Sequence, residues 1–143
     1  IMLFCLPMAV LADSDINLTP LPMRMTKGTG TLTLPQSFSI ATNGLDDACS
    51  AEAQKFAGLF KEVTGYSITV KAEDTDALIQ MNMYDGSEEL GNEGYTLDIT
   101  TAGITVTANA ANGFYYAFQS IKKMLPANVM AEVKDNKVTE YTL

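Results

Sequence analysis

The side chains with chemistry to offer in this 143-residue sequence are mainly carboxylates, and they gather in three places. These are Asp46-Asp47, Glu73-Asp74-Thr75-Asp76, and the stretch from Asp85 to Glu93, which holds four acidic residues. Two carboxylates facing each other can hydrolyse a glycosidic bond, one as acid and one as base or nucleophile. Acidic loops can also hold Ca²⁺, but neither loop has the ordered Asp-x-Asp-x-Asp-Gly ligand spacing, and solvated charge is the simpler reading of both. Asp46-Asp47 stands where a helical pattern begins, so capping is its expected role. The sequence contains no histidine, which removes Ser-His-Asp and Cys-His centres and nearly all common zinc sites. Cys49 lies in a helical pattern with Ala48 and Ala53, as a small buried hydrophobe does, and there is no imidazole to activate it. Gly28-Thr29-Gly30 lacks the third glycine, the strand before and the helix after that a dinucleotide site needs. A sugar-stacking surface has little to use either: there is no Trp, and only Tyr84 and Tyr141 fall off the apparent core stripes. No catalytic, cofactor-binding or metal-ligating residue is therefore assigned.

The elements that would position any site are clearer than the site. Ala53, Phe56, Ala57, Phe60 and Val63 recur at three and four residues, with an Asp cap before them and Gly65 after, which predicts a helix over Asp47 to Thr64. Thr31 to Leu34 and Ser37 to Ile40 alternate on either side of Pro35, and read together as a broken edge strand. Tyr66, Ile68 and Val70 give one strand, and Ile79, Met81 and Met83 another. Val129 to Val133 and Val138 to Leu143, around Lys134-Asp135-Asn136-Lys137, predict a final pair of strands.

The stretch from Gly94 to Pro126 has the strongest pattern. Tyr95, Leu97 and Ile99 alternate with polar residues, Thr101-Ala102-Gly103 turns the chain, and Ile104 and Val106 alternate in turn. This is a hairpin whose glycine is expected to take φ > 0. From Asn109 the period becomes 3.6, with Phe114, Ala117, Phe118, Ile121 and Leu125 on one side until Pro126 stops the helix. Strands grouped with two helices, without regular βαβ alternation, predict an α+β fold: a largely antiparallel or mixed β-sheet with both helices packed on one face. Ala110, Ala111, Tyr115, Tyr116 and Met124 extend the apolar surface of the second helix beyond its core stripe, and a helix apolar on two sides has two neighbours.

Gly94-Tyr95-Thr96-Leu97, Gly103-Ile104-Thr105-Val106, Gly113-Phe114-Tyr115-Tyr116-Ala117-Phe118-Gln119-Ser120 and Met124-Leu125-Pro126 closely resemble the N-terminal domain of bacterial β-N-acetylhexosaminidases of glycoside hydrolase family 20. The resemblance covers roughly residues 16–143, weakly at Leu18-Thr19-Pro20-Leu21-Pro22 and Gly30-Thr31-Leu32-Thr33-Leu34-Pro35. Ala117 stands where the family often has Gly, and Lys122-Lys123 where an apolar residue or Gln is usual. The resemblance implies a non-catalytic accessory domain over residues 13–143, whose helices lie between its sheet and a catalytic (β/α)₈ barrel that this chain does not contain. The helical face with Tyr115, Tyr116 and Met124 would meet that barrel. In the full protein the substrate's own acetamido oxygen would attack, with a Glu and an Asp of the barrel assisting, so no catalytic residue carries over. Two alternatives stay open: a stand-alone secreted module that binds a glycan or a protein, and the equivalent domain of an α-glucuronidase or an O-GlcNAc hydrolase.

A formal net charge of −8 argues against a nucleic-acid partner, whose phosphates need Lys and Arg. Ile1 to Leu11 is an apolar run too short to span a bilayer, and Val10-Leu11-Ala12 resembles a signal-peptidase site. Residues 1–12 are thus expected to be a signal peptide, partial or complete, and the protein to be exported to the periplasm, cell surface or medium. A lipoprotein Cys5 and a buried N-terminal strand are the other readings of this run. Loss of Cys5 with the signal would leave Cys49 without an intramolecular partner, so the core alone would hold the fold. Asn17-Leu18-Thr19 matches a glycosylation sequon by pattern.

Overall fold

The computed structural model describes residues 30–84, 90–125 and 141–142. The apolar N-terminal run with Cys5, the sequon, and the charged stretch at 134–137 lie outside these residues. So does most of the final strand pair and of the loop at 85–93. Tyr141 is described only in its backbone.

The elements follow in the order β1 (Thr33–Leu34), β2 (Ser37–Ala41), α1 (Asp47–Thr64), β3 (Ser67–Lys71), β4 (Ile79–Met83), β5 (Tyr95–Ile99), β6 (Ile104–Ala108), α2 (Ala111–Met124) and β7 (Tyr141–Thr142). Helix α1 has the predicted bounds because both ends are chemically marked. The Asp46 carboxylate accepts a hydrogen bond from the Cys49 N–H at 2.8 Å, and Gly65, at φ 74°, donates its N–H to the Lys61 carbonyl. Helix α2 starts without a side-chain cap, at Ala110, and ends with Lys122 and Lys123 against the negative end of its dipole.

Five strands form a mixed sheet in the order β3-β2-β4-β6-β5, and a separate two-stranded ladder joins β1 to β7. The register lines up Val70, Ile40, Ile79, Ile104 and Ile99 in one row across all five strands. The adjacent row, Lys71, Ala41, Gln80, Thr105 and Asp98, must point to the opposite side, because successive side chains alternate. One face is therefore apolar and the other largely polar. Both helices pack on the apolar face: α1 against β3, α2 against β5 and β6, and each against the other. Phe56 of α1 and Phe118 of α2 stack at 4.6 Å between ring centroids, a geometry worth about 1 kcal/mol beyond area burial.

The α+β class, the mixed sheet and both helices on one face are as the sequence predicts, but two local expectations change. Within the five-stranded sheet β2–β3, β2–β4 and β4–β6 are parallel and β5–β6 is antiparallel, so β2, α1 and β3 form a βαβ unit. Strand β2 is internal rather than an edge, because Pro35 separates two strands of different sheets and needs no ladder donor. Gly103 is not among the positive-φ residues of the described chain; a Cβ there would meet the Leu78 carbonyl oxygen at 2.7 Å. Its glycine serves close approach of backbone, since Ile104 N–H bonds that same carbonyl at 2.8 Å.

The connection from β3 to β4 carries one of the acidic clusters and explains it. Within β2, only Ile40 and Ala41, its last residues, pair with β4, so the short loop 72–78 needs to cross only the end of β2. Asp74 fastens it there. Its carboxylate accepts from Lys71 Nζ and Ser39 Oγ, each at 2.7 Å, and from the Asp76 N–H at 3.0 Å, while its carbonyl accepts from Gln80 Nε2 at 2.8 Å. On the other side of the same strand end, Asn43 (φ 47°) donates from Nδ2 to Gln80 Oε1, the Met81 carbonyl and Asn82 Oδ1.

Candidate functional site

Among the described residues Asp46, Cys49 and Asp74 each have a structural partner. Asp46 is the α1 cap, and the Cys49 N–H and thiol that bond it hold its carboxyl below the usual carboxylate range. Cys49 is buried, and burial with the hydrogen bond to Asp46 pushes its thiol up to about 12, the opposite of what a nucleophile needs. Asp74 is held down at about 2 by the hydrogen bonds from Lys71, Ser39 and the Asp76 N–H. Among the described residues no three Cys, Asp or Glu side chains gather as metal ligands do. Tyr84 is half-buried, and its N–H bonds the Ala108 carbonyl, extending the β4–β6 ladder.

The residues that make the sequence recognisable meet at one place, where α2 leaves the hairpin. The hydroxyls of Tyr95 on β5 and Ser120 on α2 hydrogen-bond to each other, and Ser120 is otherwise buried. Gly113 lies so close to the strand that a Cβ there would fall 2.4 Å from the Gly94 carbonyl oxygen and 2.7 Å from Ala108 Cβ. Gly94, Tyr95, Gly113 and Ser120 thus belong together as a packing pattern: two polar hydroxyls satisfied across an interface, and a helix whose first turn touches backbone. None of it is arranged as an active site.

Among the described residues the outward surface of the helices carries three of the four exposed large hydrophobics, the fourth being Met83 on β4. Tyr115 and Tyr116 are 45% and 40% exposed, with rings in edge-to-face contact at 5.2 Å, and Leu59 of α1 is 37% exposed. Between the helices runs a groove of about 270 Å³, floored by Phe56 and Phe118 and walled by Leu59, Tyr115 and Lys122. Met124, placed with the tyrosines by sequence, is half-buried and packs against the core instead. Leu59 was not singled out, although a Leu off the α1 core stripe beside Gly58 is a visible signal. No described helix is long and apolar enough to cross a membrane.

The fold and this surface define a class: an α+β domain with one helix-covered sheet face and a partly apolar helical exterior, without a catalytic constellation among its described residues. Residues 15–141 match the family model described as "Glycosyl hydrolase family 20, domain 2", and the chain belongs to that family. The "Beta-hexosaminidase" of Porphyromonas gingivalis is 24% identical over 119 residues, which is 82% of this chain and 15% of that protein. The N-acetyl-beta-hexosaminidase of Streptomyces plicatus aligns over 80% of this chain and 23% of its own, with TM-score 0.67 and 24% identity. A GH20 exo beta-N-acetylglucosaminidase from Vibrio harveyi aligns over 86% of this chain and 17% of its own, with TM-score 0.66 and 13% identity. At such identities the structural likeness shows the fold, and this chain spans under a quarter of the length of these relatives.

Proposed function

We propose that this chain is the non-catalytic accessory domain of an exported β-N-acetylhexosaminidase, and that the outward helical face packs on the catalytic barrel and stabilises it. The observation that carries this reading is the match to domain 2 of family 20 over residues 15–141, together with a groove and tyrosine pair on the face opposite the sheet. Homologues of the family carry this domain joined to a catalytic barrel, and their names describe enzymes acting on N-acetylhexosamine. In this role the chain supplies binding surface and the barrel supplies the acid and the group that orients the acetamide. Export is supported by the apolar run before Ala12. The N-terminal sequence of the secreted protein tests it, and a first residue before Asp13 overturns cleavage after Ala12.

The 143-residue chain is expected to release no chromophore from an aryl N-acetylhexosaminide, whereas the polypeptide that includes the barrel does. Hydrolysis by the short chain alone overturns the reading. Titration with N-acetylglucosamine oligomers distinguishes the stand-alone binding module, since the accessory role predicts no saturable affinity for them.

A further inference from the structure

The groove between α1 and α2 has a charge that its own walls do not match. At its rim Lys55 and Glu52 pair with each other at 2.6 Å. Lys122, on the α2 wall, makes no ion pair among the described residues, although the chain as a whole is strongly acidic. Lys122 lines the apolar groove, and burial lowers the affinity of its amine for a proton; among the described residues the one carboxylate of the groove wall, Glu52, is paired with Lys55. Any apolar surface laid over this groove alone would strip water from an unpaired ammonium, which is costly unless the incoming surface brings the opposite charge. The volume, about 270 Å³, suits one large side chain rather than an oligosaccharide. A second copy of this chain also carries a net charge of −8, so the two copies repel each other as wholes, and the relatives place more than three quarters of their length outside the part that matches here.

We propose that the groove receives an apolar side chain from the catalytic domain of the same polypeptide, with a carboxylate beside it that pairs with Lys122. This rests on the packing role proposed above and adds the chemistry of the contact. Lys122 then selects the partner: it rewards an acidic neighbour and penalises an uncharged one. Lys55, already neutralised by Glu52 and largely exposed, has no such role.

The test uses the full-length polypeptide with Gln119→Cys as a thiol in the groove wall and other reactive cysteines replaced. The rate of labelling is compared with that of the same protein in denaturant. A covered groove labels slowly, and adding Lys122→Met, which keeps the stem but leaves the partner carboxylate unpaired, raises the rate about tenfold or more. Lys55→Met changes it by less than about twofold, as befits an exposed pair. If the groove labels slowly but Lys122→Met leaves the rate unchanged or lowers it, the carboxylate partner is overturned while the packing role stands. Labelling as fast as in denaturant overturns both. A labelling rate that falls with protein concentration assigns the groove to a second copy and overturns the proposal.

Discussion

Asp74 is a residue whose ionisation bears on the described fold, because three hydrogen bonds converge on its carboxylate. Its carboxyl titrates at about 2 in the folded chain, against an ordinary value of 3.8, so its stabilising effect is complete above the ordinary value and is lost as pH falls through about 2. Asp74→Asn is expected to lower the midpoint of urea unfolding at neutral pH. Measured at a series of pH values, the gap between parent and variant should stay constant above about pH 5 and narrow toward pH 2. A gap that does not depend on pH would mean that the carboxylate contributes shape rather than charge. Cys49 makes the opposite prediction, of inertness. With Cys5 replaced by Ser, the thiol should react with a disulfide reagent at pH 8 only after unfolding, because it is buried and its proton is held to about pH 12. From sequence, Cys49 is readable because its neighbours are small and helical. Asp74 is readable only in part: Lys71 is three residues away in sequence, but Ser39 reaches it only after β2 and β3 have paired.

Among the elements, α2 is positioned by a glycine whose absent side chain is the point. Gly113→Ala improves intrinsic helix propensity by up to about 1 kcal/mol, but overpacking against rigid backbone costs about 1–3 kcal/mol, so a net loss of about 1–2 kcal/mol is expected. Gly94 and Ala108 cannot yield without moving β5 and β6. Chemical denaturation of the variant checks this, and a stabilised variant would show that the hairpin relaxes. Helix α1 was fully legible because Asp46 and Gly65 mark its ends locally. The choice between a largely antiparallel and a mixed sheet was not, because an alternating strand with one polar face reads as antiparallel, whereas parallel strands are usually covered on both sides and continuously apolar. Among the described residues helices cover one side of this sheet, and β2 and β4 alternate despite their parallel neighbours. The two tyrosines of α2 could be placed outward from helical spacing, while the half-burial of Met124 against the core could not be read from it.

At the scale of the molecule, recognition and chemistry separate. The residues that identify the family are those that lock α2 to the hairpin, so a sequence match reports how this domain packs. More than three quarters of the length of each of the relatives named above lies outside the part that aligns with this chain. The short ladder of β1 and β7 has its own consequence. Thr33 pairs with Thr142 and Leu34 with Tyr141, so the first and last described strands lie side by side. A cyclised backbone is therefore topologically natural: joining residue 143 to residue 30 through a few glycines and opening the chain within the exposed 101–102 turn should give a permutant that folds to the same sheet. Circular dichroism and the unfolding midpoint compare the two forms. The module's architecture, in other words, is indifferent to where its synthesis starts, and what must remain intact is the layering of two helices on five strands.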